Sequence, residues 1–201
     1  MDGKIRMNGA IAKVGEDVVY SRLVAHQAAR PFLMACNERG LKITAELNHI
    51  HYENERLHFS NAHKTQSPRK LVDFSEHLID SEKIFMVELT SEDVIFIENN
   101  LPDSLYFVMS REGNGFGMIM HREATKAKAI AALANFWGIR QSEIVAFGDD
   151  LNDLDLLEFA GIGVAMGNAV DEVKDVVDCV CLGNDEDGVA RWLAENVLGV
   201  V

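Results

Sequence analysis

The chain has 201 residues, 48% of them hydrophobic and 25% charged, enough for one or two domains that need no disulfide staples, and this composition excludes disorder, collagen and coiled coil. Its 19 Lys and Arg against 32 Asp and Glu give a net charge of −13, which repels a phosphate backbone and removes the counterion-release drive for nucleic acid binding. Three cysteines without a Cys-x-x-Cys pair, no run of 18 apolar residues and no charged-then-apolar start argue against a disulfide framework, a membrane span and a signal peptide; a reducing cytoplasm is the expected compartment.

From the amino terminus, Val18–Leu23 reads as a strand, Ala25–Glu38 as a helix interrupted at Pro31, and Ile43–Tyr52 as one extended stretch. His58–Pro68 is polar and reads as loop, and Lys70–Leu78 as helix. Ile84–Leu89, Leu105–Ser110 and Phe116–Met120 read as strands, with a helix over Glu92–Asn99, so this part is expected to be a small α+β domain. All seven histidines lie at or before His121, and the Asp-rich segments follow it. Beyond that point strands and helices alternate. Lys126–Phe136 is helical by its spacing of Ala129, Ile130, Leu133 and Ala134, with Gly138 as the stop. Ile144–Phe147 is a short buried strand that runs into Gly148 and acids. Asn152 or Asp153 caps a helix through Leu154–Phe159; then come a strand over Ile162–Met166, a helix near Val170–Val176, a strand over Val177–Leu182 and a helix over Gly188–Val197. That alternation predicts a parallel α/β sheet, with ligands beyond the carboxyl ends of its strands.

Gly148-Asp149-Asp150-Leu151-Asn152-Asp153 sits at such an end. Its hard oxygens suit magnesium, which needs one or two carboxylates besides water and phosphate; the same acids also serve as a helix N-cap facing the macrodipole, and the residues alone leave both readings open. Lys126 opens its helix 23 residues before Asp149, one β-α unit earlier, so its charge can reach the same end of the sheet and offset a phosphate oxyanion there. Gly161–Gly167 has the spacing G-x-G-x-x-x-G after a helix and does not read as a dinucleotide loop. His49, His51, His58 and His63 read as surface or cap-lining histidines rather than a zinc site. Cys179 and Cys181 share a strand face and read as inert core residues, as do Phe136-Trp137 and Trp192.

Four runs together carry a family likeness: Thr125-Lys126-Ala127-Lys128-Ala129-Ile130, Ile144 through Asp153, Gly163-Val164-Ala165-Met166-Gly167-Asn168-Ala169, and Asn184-Asp185-Glu186-Asp187-Gly188-Val189. In order, spacing and flanking residues they resemble the C-terminal half of Cof-type haloacid dehalogenase superfamily phosphatases, with Ala127 where that family usually has glycine. The resemblance implies a magnesium-dependent phosphoric monoester hydrolase acting on a small phosphorylated metabolite. It implies that Lys126 is catalytic, steadying nucleophile and phosphate, that Asn152 contacts the phosphoryl group, and that Asp149 and Asp153 hold Mg2+.

The family's Asp-x-Asp-Gly-Thr motif, which supplies the aspartyl nucleophile, does not occur in the sequence; Asp2-Gly3-Lys4 is a fragment of it at most. Met7-Asn8-Gly9-Ala10 resembles the Asn-Gly-Ala turn that precedes the family's cap. The implied organisation is a remnant of the N-terminal core over residues 1–14, an α/β (α+β) cap over 15–118, and the C-terminal half of an incomplete Rossmann-like core over 119–201. Activity is accordingly expected to be impaired, with a non-catalytic binding protein of the same descent as the alternative. A missing central strand would bare one edge of Ile144–Phe147, so a homo-oligomer through that edge, or Lys4–Val14 folded back as a substitute strand, is expected.

Overall fold

Three short strands joined by tight turns open the chain. The structure, a computed structural model, describes residues 2–55, 67–76, 79–110 and 115–199. Strands β1 (Gly3–Arg6), β2 (Ile11–Val14) and β3 (Asp17–Ser21) form an antiparallel sheet in that order. The reversal between the first two uses three consecutive left-handed residues, Met7, Asn8 and Gly9, with φ of 50°, 50° and 99°. Two compact units follow from the contacts: Met1–Ser21 with Thr125–Val201, and Arg22–Ala124 between them in sequence.

The inserted unit comprises α1 (His26–Glu38), β4 (Lys42–Leu47), β5 (Ile50–Glu53), β6 (Arg69–Leu71), β7 (Lys83–Val87), α2 (Ser91–Asn100), β8 (Leu105–Met109) and β9 (Gly117–His121). Its sheet has the order β6-β5-β4-β7-β9-β8, antiparallel except for the β5–β6 pair. Alternation along the strands sends Ile43, Ala45, Ile84, Met86 and Ile119 into one apolar core with Ala29, Phe32 and Leu33 of α1 and Ile97 of α2. Thr44, Glu46, His51, Glu53 and Phe85 occupy the intervening positions and are buried too.

Three segments depart from the sequence reading. Ile43–Tyr52 is a hairpin rather than one stretch: Asn48 and His49 take φ of 50° and 63°, the paired left-handed residues of a two-residue turn that matches strand twist. Helix α1 runs through Pro31 without a break. The proline is exposed, and Ala29, Phe32, Leu33 and Cys36 anchor the turns on either side, which outweighs one lost backbone bond. Lys70 lies in β6, not in a helix, because the backbone pairs with β5 through His51 N to Pro68 O and Val72 N to Glu53 O, each 2.9 Å. Most of the predicted His58–Pro68 loop falls outside the described residues.

The remainder of the first unit comprises α3 (Lys126–Trp137), β10 (Val145–Gly148), α4 (Leu154–Phe159), β11 (Ile162–Ala165), α5 (Asp171–Lys174), β12 (Cys179–Val180) and α6 (Gly188–Leu193). The three strands form a parallel sheet in chain order. Thr125 Oγ1 accepts from Lys128 N at 3.3 Å to start α3, and Gly138, at φ 70°, ends it. Ala129, Leu133, Ile130 and Trp137 of this helix pack on Ile5, Ala12, Val14, Val19 and Tyr20 of the opening sheet.

Four smaller readings are corrected here. Phe136 is 54% exposed rather than core, since the helix turns Leu133 and Trp137 inward instead. Cys179 and Cys181 are half-buried, not core. Asn152 is not a cap: Asp153 holds the N-cap position of α4, without a side-chain capping bond, and Asp150 caps the 3-10 turn before it. Lys4–Val14 does not fold back onto β10: β1 and β2 satisfy each other in a separate sheet, and among the described residues no strand pairs along the other side of β10. No helix of the described residues is long and apolar enough to cross a membrane.

Candidate active site

The carboxyl end of β10 is shaped by a close approach. A Cβ on Gly148 would fall 2.5 Å from Asp153 Cβ, so only glycine lets the short 3-10 turn Leu151–Asp153 fold back over the strand end. Asp150 Oδ1 accepts from Leu151 N at 2.8 Å and Asp153 N donates to Asp150 O at 2.8 Å. These bonds turn the Asp153 side chain inward, where it is buried and its Oδ2 accepts from Asp149 N at 3.2 Å and Asp150 N at 3.4 Å. Its other oxygen, Oδ1, forms an ion pair with the Lys126 ammonium.

Lys126 is delivered to that partner by two backbone constraints. A Cβ on Gly9 would sit 2.1 Å from Thr125 O, so the Met7–Gly9 turn seats directly on the residue before the lysine. Ala127 N donates to Asp155 Oδ2 at 2.9 Å, tying the first turn of α3 to α4. The contact uses the backbone amide of Ala127, so the methyl group that replaces the family's usual glycine does not obstruct it.

Asp149 faces out and is exposed. Asn168 Nδ2 donates to its Oδ2 at 3.3 Å, and Asn168 Oδ1 accepts from Asn184 N at 3.0 Å. The loops after β10, β11 and β12 are thus joined through one amide side chain. Gly167 permits this packing, since its Cβ would lie 2.8 Å from Gly183 N. Of the residues singled out from sequence, Lys126 and Asp153 pair directly, Asp149 adjoins them through its backbone amide, and Asn152 is exposed on the same turn. Asn168 and Asp155 were not singled out, although both lie within or beside the runs that carry the family likeness.

Asp149 and Asp153 are hard oxygen donors four residues apart beside a lysine, a set that fits Mg2+ completed by water and phosphate oxygens. Among the described residues no cluster of three or more His, Cys, Asp or Glu is placed to hold a metal ion. His51 Nε2 instead faces Glu46 Oε2 at 3.6 Å, and His58 and His63 lie outside the described residues.

A family model described as haloacid dehalogenase-like hydrolase matches residues 2–193. A 5-amino-6-(5-phospho-D-ribitylamino)uracil phosphatase of Bacillus subtilis is 34% identical over 152 residues, 73% of this chain and 56% of that protein. A second Bacillus subtilis phosphatase is 44% identical over 91 residues, 45% of this chain and 31% of that protein; the chain thus spans about half or less of the length of these relatives. A solved haloacid dehalogenase subclass IIB sugar phosphatase superposes with a TM-score of 0.77 at 25% identity, covering 100% of this chain and 77% of that one.

Proposed function

The chain belongs to the haloacid dehalogenase-like hydrolase family, and from that membership we propose that it carries the metal- and phosphate-holding half of a phosphoric monoester hydrolase acting on a small phosphorylated metabolite. The observation that supports this reading is the Lys126–Asp153 ion pair beside Asp149 at the carboxyl end of the parallel sheet. Asp149 and Asp153 would hold Mg2+, which when bound neutralises charge on phosphate oxygens as a Lewis acid. Lys126 places a fixed positive charge toward the phosphoryl group, and Asn152, exposed on the adjoining turn, offers it an amide donor. The attacking carboxylate of the family's covalent route is not among these residues, so the 201-residue chain alone turns over poorly.

Small-molecule specificity is supported by the names of the relatives, and a reducing cytoplasm by three free cysteines. Self-association through the open side of β10 is supported by the absence of a partner strand there among the described residues. Calorimetric titration with Mg2+, alone and with inorganic phosphate, tests the reading. Expected are Mg2+ binding in the millimolar range, on the order of what a site with few carboxylates provides, loss of that binding in Asp149→Ala, and loss of phosphate binding in Lys126→Ala. Equal titrations of wild type and both variants overturn the assignment, and vigorous p-nitrophenyl phosphate hydrolysis that Asp149→Ala abolishes overturns the impairment.

A further inference from the structure

Two sulfurs meet beside the loops after β11 and β12, and a third thiol, Cys179, lies two residues before one of them. Cys181 Sγ lies 3.6 Å from Met166 Sδ. Both backbones are fixed: Cys181 N donates to Ala165 O and Met166 N to Gly148 O, each at 2.9 Å. Cys179 precedes Cys181 by two residues, the spacing that puts side chains on one side of an extended strand, and Val180 between them is 50% exposed. Both thiols are free, and all three sulfur-bearing residues are half-buried, neither locked in the core nor spread over the surface.

The separation has a chemical meaning. Two sulfurs that each bind one ion at about 2.3 Å, at an angle near tetrahedral, stand about 3.8 Å apart. Cys181 and Met166 are already within a few tenths of an ångström of that spacing. A donor set of thiols and a thioether, with no imidazole or carboxylate contributing, is soft and selects copper(I) over magnesium, calcium or manganese. We propose that Met166, Cys181 and Cys179 form a binding site for a soft monovalent metal ion of the copper(I) class. On binding, each participating cysteine exchanges its S–H bond for an S–Cu bond and releases a proton to solvent; the thioether donates a lone pair, and copper stays in the +1 state.

The test is an anaerobic titration of the full chain with copper(I) in competition with a chromophoric copper(I) chelator. Wild type should withdraw one equivalent from the chelator. Cys181→Ser should abolish this, Cys179→Ser weaken it, and Met166→Leu, a volume-conserving change that spares the fold, lower the affinity about tenfold. X-ray absorption of the loaded chain should show only sulfur in the copper shell. No withdrawal by wild type, a nitrogen or oxygen shell, or undiminished binding in Cys181→Ser with unchanged circular dichroism overturns the proposal.

Discussion

Asn168 steers Asp149 from the far side of a neighbouring loop: one end of its amide donates to the Asp149 carboxylate at 3.3 Å while the other accepts the Asn184 amide at 3.0 Å. The residue needs both a donor and an acceptor at fixed separation, which only an amide side chain supplies. Asn168→Ala should therefore free Asp149 to reorient and weaken Mg2+ binding about fivefold, the equivalent of roughly 1 kcal/mol for one hydrogen bond. Asn168→Asp should do worse, because it faces Asp149 with a second negative charge. Manganese relaxation titrations on the two variants check the order.

Gly148 answers to geometry rather than to turn conformation. Because a Cβ there would overlap Asp153 Cβ at 2.5 Å, Gly148→Ala should displace the Leu151–Asp153 turn and cost about 1–3 kcal/mol, the usual range for overpacking. The reading is a lowered urea midpoint at unchanged slope, together with loss of Mg2+ binding. An unchanged midpoint would show that the turn yields freely.

Glu46, in the inserted unit, is a buried acid. Burial pushes the Glu46 carboxyl up, but the hydrogen bond and charge of His51, with Lys83 and His49 nearby, outweigh it and hold Glu46 below the usual carboxylate range. A group whose folded value is depressed stabilises the fold above its unfolded value, about 4.3, and loses that contribution as pH falls through the folded value. The stability gap between wild type and Glu46→Gln should accordingly be present above about 4.3 and close as pH falls below it. Urea midpoints collected across that range would refute the assignment if the gap widened on acidification.

The cysteines should separate by reactivity. Cys36 is fully buried on the core face of α1, and that burial pushes its thiol up to about 12. A disulfide reagent at pH 8 should label two thiols of the native chain promptly and the third only after unfolding. Three fast labels would contradict the core position of Cys36.

The parallel half of the fold was legible because its signals are local. Ile144–Phe147 is a continuous apolar run closed by glycine and acids, and Lys126–Trp137 has both a threonine cap and a glycine stop. The inserted unit was harder, since its decisive signals are either weak or distant. Asn48-His49 lacks the glycine that usually marks a two-residue turn, and β6 exists only because β5 is there to receive it. At the site, Lys126, Asp149 and Asp153 could be grouped by spacing and family likeness. Asn168 could not, because its role depends on bringing together loops 16 and 19 residues away.

Strand β10 is chemically two-sided. The carbonyls of Ile144 and Gly148 accept from Ile162 at 3.0 Å and Met166 at 2.9 Å, so alternate residues aim their backbone at β11 while Val145 and Phe147 aim theirs the opposite way. In deuterium oxide such a strand should exchange like a comb, with Ala146 and Gly148 slow and Val145 and Phe147 fast. Raising the protein concentration leaves the slow teeth alone. If copies of the chain zip together there, the fast teeth slow down with it, and the even beat along four residues fades into uniform protection.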